Sequence, residues 1–151
     1  MLYMDKKIND GSTASYYELP EDATELQDLI EAKKMSFYVG YIFKAAYIIN
    51  DKNNIHILNE IILCAQHEKN RIKYKLPNLF LPQFSINYKL PEGATELQDL
   101  IEAKNMNFSI GNIFKAAYRM GDEGTGREKI YDLNKIIFYA QREKNRLTKT
   151  L

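Results

Sequence analysis

The stretch "FSIGNIFKAAYRMGDEGTGREKIYDLNKIIFYAQREKNR" (residues 108–146) decides how the chain is read, because it has an earlier counterpart. That counterpart is "FYVGYIFKAAYIINDKNNIHILNEIILCAQHEKNR" (residues 37–71). The apolar positions nearly all survive between the two, whereas a set of polar positions does not. The likeness extends upstream: "YYELPEDATELQDLIEAKKMSF" (residues 16–37) matches "NYKLPEGATELQDLIEAKNMNF" (residues 87–108), and "ATELQDLIEAK" is identical in both. The offset is 71 residues until "IFKAAY" has passed and 75 thereafter, because the second copy carries four extra residues around "GDEGTGRE". Internal duplication is therefore the first organising fact of this sequence.

Each copy reads as three helices. Thr24 with Gln27, and Thr95 with Gln98, have capping-box spacing and place the start of a first helix. Leu26, Leu29 and Ile30 continue it as an apolar stripe. Ser36 and Asn107 are the expected N-caps of a second helix. A third helix is predicted over residues 55–71 and again over 127–147, where Ile130, Leu133, Ile136, Ile137 and Ala140 recur at helical spacing. A three-helix unit of this size buries too little surface to stand alone, so the copies are expected to pack on each other. The expected fold is all-α, two tandem three-helix repeats forming a pseudo-dimer. Its parts are an N-terminal arm (residues 1–15), a first repeat (16–72), a linker (73–86) and a second repeat (87–151). The linker, "KYKLPNLFLPQF" with Pro77 and Pro82, reads as extended, with Leu79, Phe80 and Leu81 lying against the protein.

The composition excludes several classes. The 151 residues are 45% hydrophobic and 27% charged, which is ordinary for a globular protein, and the net charge of +1 offers no bulk attraction for duplex nucleic acid or membrane. The single cysteine, Cys64, cannot form an internal disulfide and fits a reducing cytoplasm. The start, "MLYMDKKINDGS", has no apolar signal-like run, and no segment is long and apolar enough to predict a transmembrane helix. His56 and His67 have no Cys/His cluster at metal-ligand spacing. No Ser-His-Asp constellation is legible.

Chemistry concentrates where the copies differ. At 100° per residue, Asn112, Lys115 and Arg119 fall within an arc of about 60° on the second helix of copy two. Ile110, Ile113, Phe114 and Ala117 lie opposite. Gly111 borders the stripe and would admit a close approach by a ligand. Asp132, Lys135, Tyr139 and Arg142 share one face of the third helix. In copy one these positions read Tyr41, Lys44, Ile48, Ile57, Glu60, Cys64 and His67, so only Lys44 keeps its chemistry. An exposed face drifting freely would not favour such apolar replacements. The copy-one face is accordingly expected to be partly buried and to have lost a ligand role that copy two keeps. The loop "MGDEGTGREK" (residues 120–129) occurs only in copy two. Its Gly121, Gly124 and Gly126 leave backbone N–H groups before a helix, an arrangement suited to anions. It is not a Walker A loop.

Arg and Lys satisfy phosphate oxygens, and Asn or Tyr reads a base edge or ribose. Asn112, Lys115, Arg119, Asp132, Lys135 and Tyr139, with Gly111 and Gly121 beside them, thus predict a site for a phosphorylated nucleoside, cyclic and signalling nucleotides included. The competing expectation is an interhelical salt bridge between Arg119 and Asp132. Tyr38, Tyr41 and Tyr47 on one helix predict an apolar outer edge and hence a homo-oligomer.

"GNIFKAAYRMG…DLNKIIFY" resembles a small phage-encoded domain whose members show G-N-x-x-K-Y-x-x-R-x-G, a variable loop, then D-L-x-K-A and an aromatic. Most of that family has no assigned function, and a podovirus early protein in it is described as a nucleotide kinase lacking a P-loop. The resemblance spans residues 88–147 and carries Gly111, Asn112, Lys115, Arg119, Gly121, Asp132, Leu133 and Lys135. Ala116 stands where the family has Tyr, and Ile136 where it has Ala. Copy one shares only the scaffold, with Gly40 and Lys44. The resemblance implies a host-cell cytoplasmic protein of viral type and, as an alternative to simple binding, a nucleoside monophosphate kinase using Mg²⁺. Phosphoryl transfer ordinarily needs a metal and a cradle for the donor's polyphosphate. The one loop at 120–129, with Asp122 and Glu123, would have to supply both, so binding without turnover is the favoured expectation. A protein-interaction module is the third.

Overall fold

An aspartate in its first turn fixes the start of each short first helix. The Asp28 carboxylate accepts hydrogen bonds from the backbone N–H groups of Thr24 (2.9 Å) and Glu25 (3.0 Å), and Asp99 does the same for Thr95 and Glu96. Both carboxyls are held below their usual range by these backbone donors. The helices therefore begin one residue later than Thr24 and Thr95 suggest. The reciprocal partner is Asp28 or Asp99, while Gln27 and Gln98 reach forward to Glu31 and Glu102.

The computed structural model describes residues 17–49, 54–77, 88–120 and 126–149. In chain order these form α1 (Leu26–Ala32), α2 (Phe37–Ile48), α3 (Asn54–Lys73), α4 (Leu97–Ala103), α5 (Phe108–Arg119) and α6 (Gly126–Lys149). Among the described residues there is no strand, only two isolated antiparallel bridges, Glu18 with Glu96 and Glu25 with Lys89. The fold is all-α, built from two three-helix repeats. The N-terminal arm, Leu79 to Leu81 of the linker and the loop containing Gly121 and Gly124 lie outside the described residues.

The long helices close a ring: α2 packs on α3 and on α5, α6 packs on α5 and on α3. Equivalent helices thus face each other, as a pseudo-dimer requires. Phe43 stacks on Phe114, its own counterpart, with ring centroids 4.3 Å apart and planes 5° from parallel. Two copies of one residue meet in this way only on a twofold axis. On either side of it Tyr118 stacks on Phe43 (5.7 Å) and Tyr47 on Phe114 (5.8 Å). The flanking contacts are exchanged between repeats in the same manner. Leu19 N–H donates to Thr95 O and Leu90 N–H to Thr24 O, each at 2.9 Å. Tyr118 Oη donates to Glu18 O, and Tyr47 Oη to Lys89 O. Lys33 lies over the Tyr118 ring and Lys104 over the Tyr47 ring, both at 4.8 Å.

Tyr47 is therefore core, and the outer apolar edge expected from Tyr38, Tyr41 and Tyr47 does not form. Tyr47 is buried against the twofold, Tyr41 is half-buried with its hydroxyl donated to Glu60, and Tyr38 stacks on His67 (5.3 Å).

The N-caps do two jobs. Ser36 Oγ accepts from Val39 N–H and donates to Glu68; Asn107 Oδ1 accepts from Ile110 N–H while its Nδ2 donates to Glu143 at 2.7 Å. Glu68 and Glu143 are both buried, and each also takes a two-nitrogen fork from an arginine one turn on, Arg71 or Arg146. A capped helix is thereby fastened to the last helix of its repeat. Arg146, with help from Asn107 and against the cost of burial, holds the Glu143 carboxyl below its usual range.

Phe114→Ala and Phe43→Ala should each cost about 3–5 kcal/mol in urea unfolding, with nearly equal losses because the two rings share one contact. A loss at only one of them would show that the halves do not share the core. For Glu143 the sign follows from its lowered native pKa. Its contribution is fully present above the unfolded value, about 4.3, and disappears as pH falls through the native value. Urea midpoints from pH 6 to pH 3 should fall more steeply for the wild type than for Glu143→Gln.

Candidate functional site

Two of the positions that distinguish the copies, 119 and 132, meet across one seam of the second repeat. In repeat two the seam lies between α5 and α6. Near the C-terminal end of α5, Arg119 forms a two-nitrogen fork on Asp132: Nη2 contacts Oδ1 and Nε donates to Oδ2 at 3.4 Å. Asp132 is buried, and its hydrogen bond raises the already high pKa of the Arg119 guanidinium. The salt bridge that competed with the ligand reading is therefore formed. In repeat one the corresponding residues are Ile48 and Ile57, both half-buried against the core. The change is concerted: an ion pair in one seam replaces two isoleucines in the other.

A residue from the other repeat completes this end of the seam. Tyr17, which precedes α1, is buried, accepts at its hydroxyl oxygen a hydrogen bond from Arg119 Nη1 at 3.5 Å, and carries Lys115 over its ring at 5.1 Å. No motif in the sequence marks Tyr17. Its only signal was the match of Tyr17 to Tyr88 within the repeated "Y-x-L-P-E" segment.

Further along, Asn112 turns back on its own helix, donating from Nδ2 to Phe108 O at 2.8 Å. It does not reach across to α6. Lys135 lies over the Tyr131 ring at 5.8 Å. Tyr139 meets Phe108 edge-on at 5.7 Å, and Phe108 is 75% exposed. Gly111 is buried, and a Cβ there would meet Ile101 Cγ2 of α4 at 3.7 Å. Its place is under α4, so the expected close approach of a ligand gives way to helix packing. Gly121 lies outside the described residues.

The seam thus runs from an aromatic end, Phe108 with Tyr139, to a charged end, Arg119 with Asp132. The twelve residues of α5 span about 16 Å from Phe108 to Arg119. Lys115 and Lys135 flank the middle from opposite helices. With Arg119 and Asp132 they make three cations and one carboxylate among these described residues; Glu128, one turn before Asp132, is exposed. The matching seam of repeat one holds Lys44 and Glu60, and Tyr41 closes on Glu60 where Asn112 and Lys135 stand in repeat two. Burial lowers the Lys44 pKa, and burial with Glu60 pushes the Tyr41 phenol up. Cys64, opposite Tyr139 in the repeat, has its thiol pushed up to about 11 by burial and Glu60, which makes it a packing residue with little thiolate. The copy-one face is half-buried, as expected, but so is most of the copy-two face. Chemistry, not burial, separates them.

Among the described residues no group of three His, Cys, Asp or Glu side chains gathers to hold a metal ion. Asp122 and Glu123 lie outside those residues. No helix among them is long and apolar enough to cross a membrane. No protein-family model, curated protein or solved structure matches the chain.

The matched isoleucines define a stability test of the ion pair. Arg119→Ile alone leaves the buried Asp132 unpaired and should cost about 3–5 kcal/mol. Arg119→Ile with Asp132→Ile recreates the repeat-one seam and should return to within about 1 kcal/mol of wild type. Urea unfolding of both variants checks this; a double variant as weak as the single would mean the seams are not equivalent.

Proposed function

We propose that the α5–α6 seam of the second repeat binds a phosphorylated nucleoside and holds it without turning it over. The phosphate lies between Lys115 and Lys135 beside Arg119, and the base lies toward Phe108 and Tyr139. The observation that carries this reading is the asymmetry inside an otherwise symmetric molecule. Core stacks, caps, clasps and crossing hydrogen bonds all recur in both repeats, while a surplus of cations appears in one seam only. Lys115 and Lys135 are the free-charge side of the site, because Asp132 already neutralises Arg119. Arg119 keeps its second Nη protons for a phosphate oxygen, and Asp132 orients the fork. The resemblance of Gly111, Asn112, Lys115, Arg119, Asp132 and Lys135 to the phage-encoded family supports the same class of ligand. Its nucleotide-kinase member supplies the alternative, phosphoryl transfer to a nucleoside monophosphate.

Each charged hydrogen bond to phosphate contributes about 1.5–3 kcal/mol. Lys115→Ala and Lys135→Ala should therefore each weaken binding about ten- to a hundredfold, while Lys44→Ala leaves it unchanged. Calorimetric titration with mono-, di- and cyclic nucleotides reads this, with one site expected per chain. Equal losses at Lys44 and Lys115 would assign a ligand to both seams, and no heat with any nucleotide would remove the reading. Chromatography after incubation with a nucleoside triphosphate, a monophosphate and Mg²⁺ separates the alternatives: a new phosphorylated product makes the protein a kinase.

A further inference from the structure

The outward face of α6 presents a second chemistry that shares only Lys135 with the seam. Tyr131 is 63% exposed and Phe138 is 58% exposed. They are seven residues apart, so they stand on the same side of the helix about 10 Å from each other. Lys135 and Arg142, each four residues beyond an aromatic, interleave with them. Asn134, Gln141 and Asn145 fill the exposed positions between. From Tyr131 to Lys149 the acidic residues are Asp132 and Glu143, and both are buried on arginines. From Tyr131 onward the exposed charge on this face is cationic; the exposed Glu128 lies about one turn earlier.

Repeat one again serves as the comparison. The positions of Tyr131, Lys135, Phe138 and Arg142 are His56, Glu60, Leu63 and His67 on α3. Large aromatic rings facing water, alternating with cations and side-chain amides, appear on α6 alone.

We infer that the outward face of α6 is a binding platform for single-stranded nucleic acid, with bases stacking on Tyr131 and Phe138 and phosphates meeting Lys135 and Arg142. The cations Lys135 and Arg142 beside the two rings, with no exposed carboxylate between Tyr131 and Lys149, favour an anionic occupant. It must also offer flat apolar surfaces, since rings at 131 and 138 gain most from stacking. An unpaired strand supplies both at a short repeat, and base–aromatic stacking tolerates any sequence. A duplex hides its base faces and would meet only the cations. A second copy of this chain joined through the same face would oppose Lys135 and Arg142 to their own like charges.

The test is fluorescence anisotropy of a labelled single-stranded oligothymidylate, and of a duplex of equal length, with the full chain at low and moderate salt. The single strand should bind more tightly than the duplex and weaken as salt rises. Tyr131→Ala combined with Phe138→Ala should weaken it about tenfold or more, and Arg142→Glu should weaken it and flatten the salt dependence. Leu63→Ala, at the repeat-one counterpart of Phe138, should leave it unchanged. All these positions are exposed, so the variants keep the core intact. Lys115→Ala separates this platform from the nucleotide seam: single-strand binding should survive it, while mononucleotide affinity should survive the double aromatic variant. Duplex binding as tight as single-strand binding, equal loss at Leu63, or loss of both ligands together with Lys115→Ala would each overturn the platform. So would self-association that the aromatic variants abolish in the absence of nucleic acid, which would give the face to a second copy.

Discussion

The stack of Phe43 on Phe114 is the constraint from which the rest of the molecule follows. A residue can lie flat against its own repeat counterpart only if the two halves are related by a twofold passing between the rings. Once that contact is made, Tyr47 and Tyr118 must flank it, and their hydroxyls come to the backbone of the opposite repeat at Lys89 and Glu18. The segments before α1 and α4 are then brought side by side, so each pairs with the other's helix start. Neither half closes its own core. α1, α2 and α3 leave their largest rings uncovered until the second repeat arrives, so folding of the two halves is one cooperative event.

Against this fixed frame, the exchange of Ile48 and Ile57 for Arg119 and Asp132 is informative. Replacing two half-buried isoleucines by an ion pair removes charge from water, and the attraction between the charges roughly repays that loss without much surplus. The frame itself does not need the pair, since the other seam does without it. The Glu68–Arg71 and Glu143–Arg146 clasps differ in this respect. They occur in both repeats and tie each N-cap to the last helix, as a structural device should. Polar groups kept in both copies hold the fold; polar groups present in one copy call for another reason.

Much of this was legible in the sequence because duplication exposes the core. Positions such as Ile113, Phe114, Leu133, Ile136 and Ala140 are apolar in both copies, and all of them are buried. Ser36 and Asn107 could be read as caps because their side chains act locally. Their second bonds, to Glu68 and Glu143, could not, although "EKNR" closes both matched stretches, because a contact across more than thirty residues leaves no periodic trace. The choice of Gln27 over Asp28 as capping partner failed on a one-residue ambiguity in where the helix starts. Tyr47 was misplaced for a physical reason. At 100° per residue Tyr47 lies about 40° from Phe43 and about 120° from Tyr41, so three tyrosines on one helix do not make one outer edge. Tyr17 escaped because it reaches Arg119 only after the two repeats have docked.

That last contact bears on what the first repeat supplies to the second, whose seam differs from its own. In a dimer of identical repeats, any change in one seam is imposed on both. A covalent tandem removes that linkage, and each seam becomes free to change alone. What repeat one cannot lose is what it supplies to the other half: Phe43 and Tyr47 to the common core, Thr24 O and Glu18 O to the crossing segments, and Tyr17 to the Lys115 and Arg119 end of the α5–α6 seam. The counterpart Tyr88 meets Tyr47 edge-on at 6.3 Å, and with Ile48 in place of an arginine its side of the molecule has no guanidinium to orient. Repeat one therefore acts as the wall of its neighbour's seam, and its own seam could turn apolar without disturbing the arrangement across the twofold.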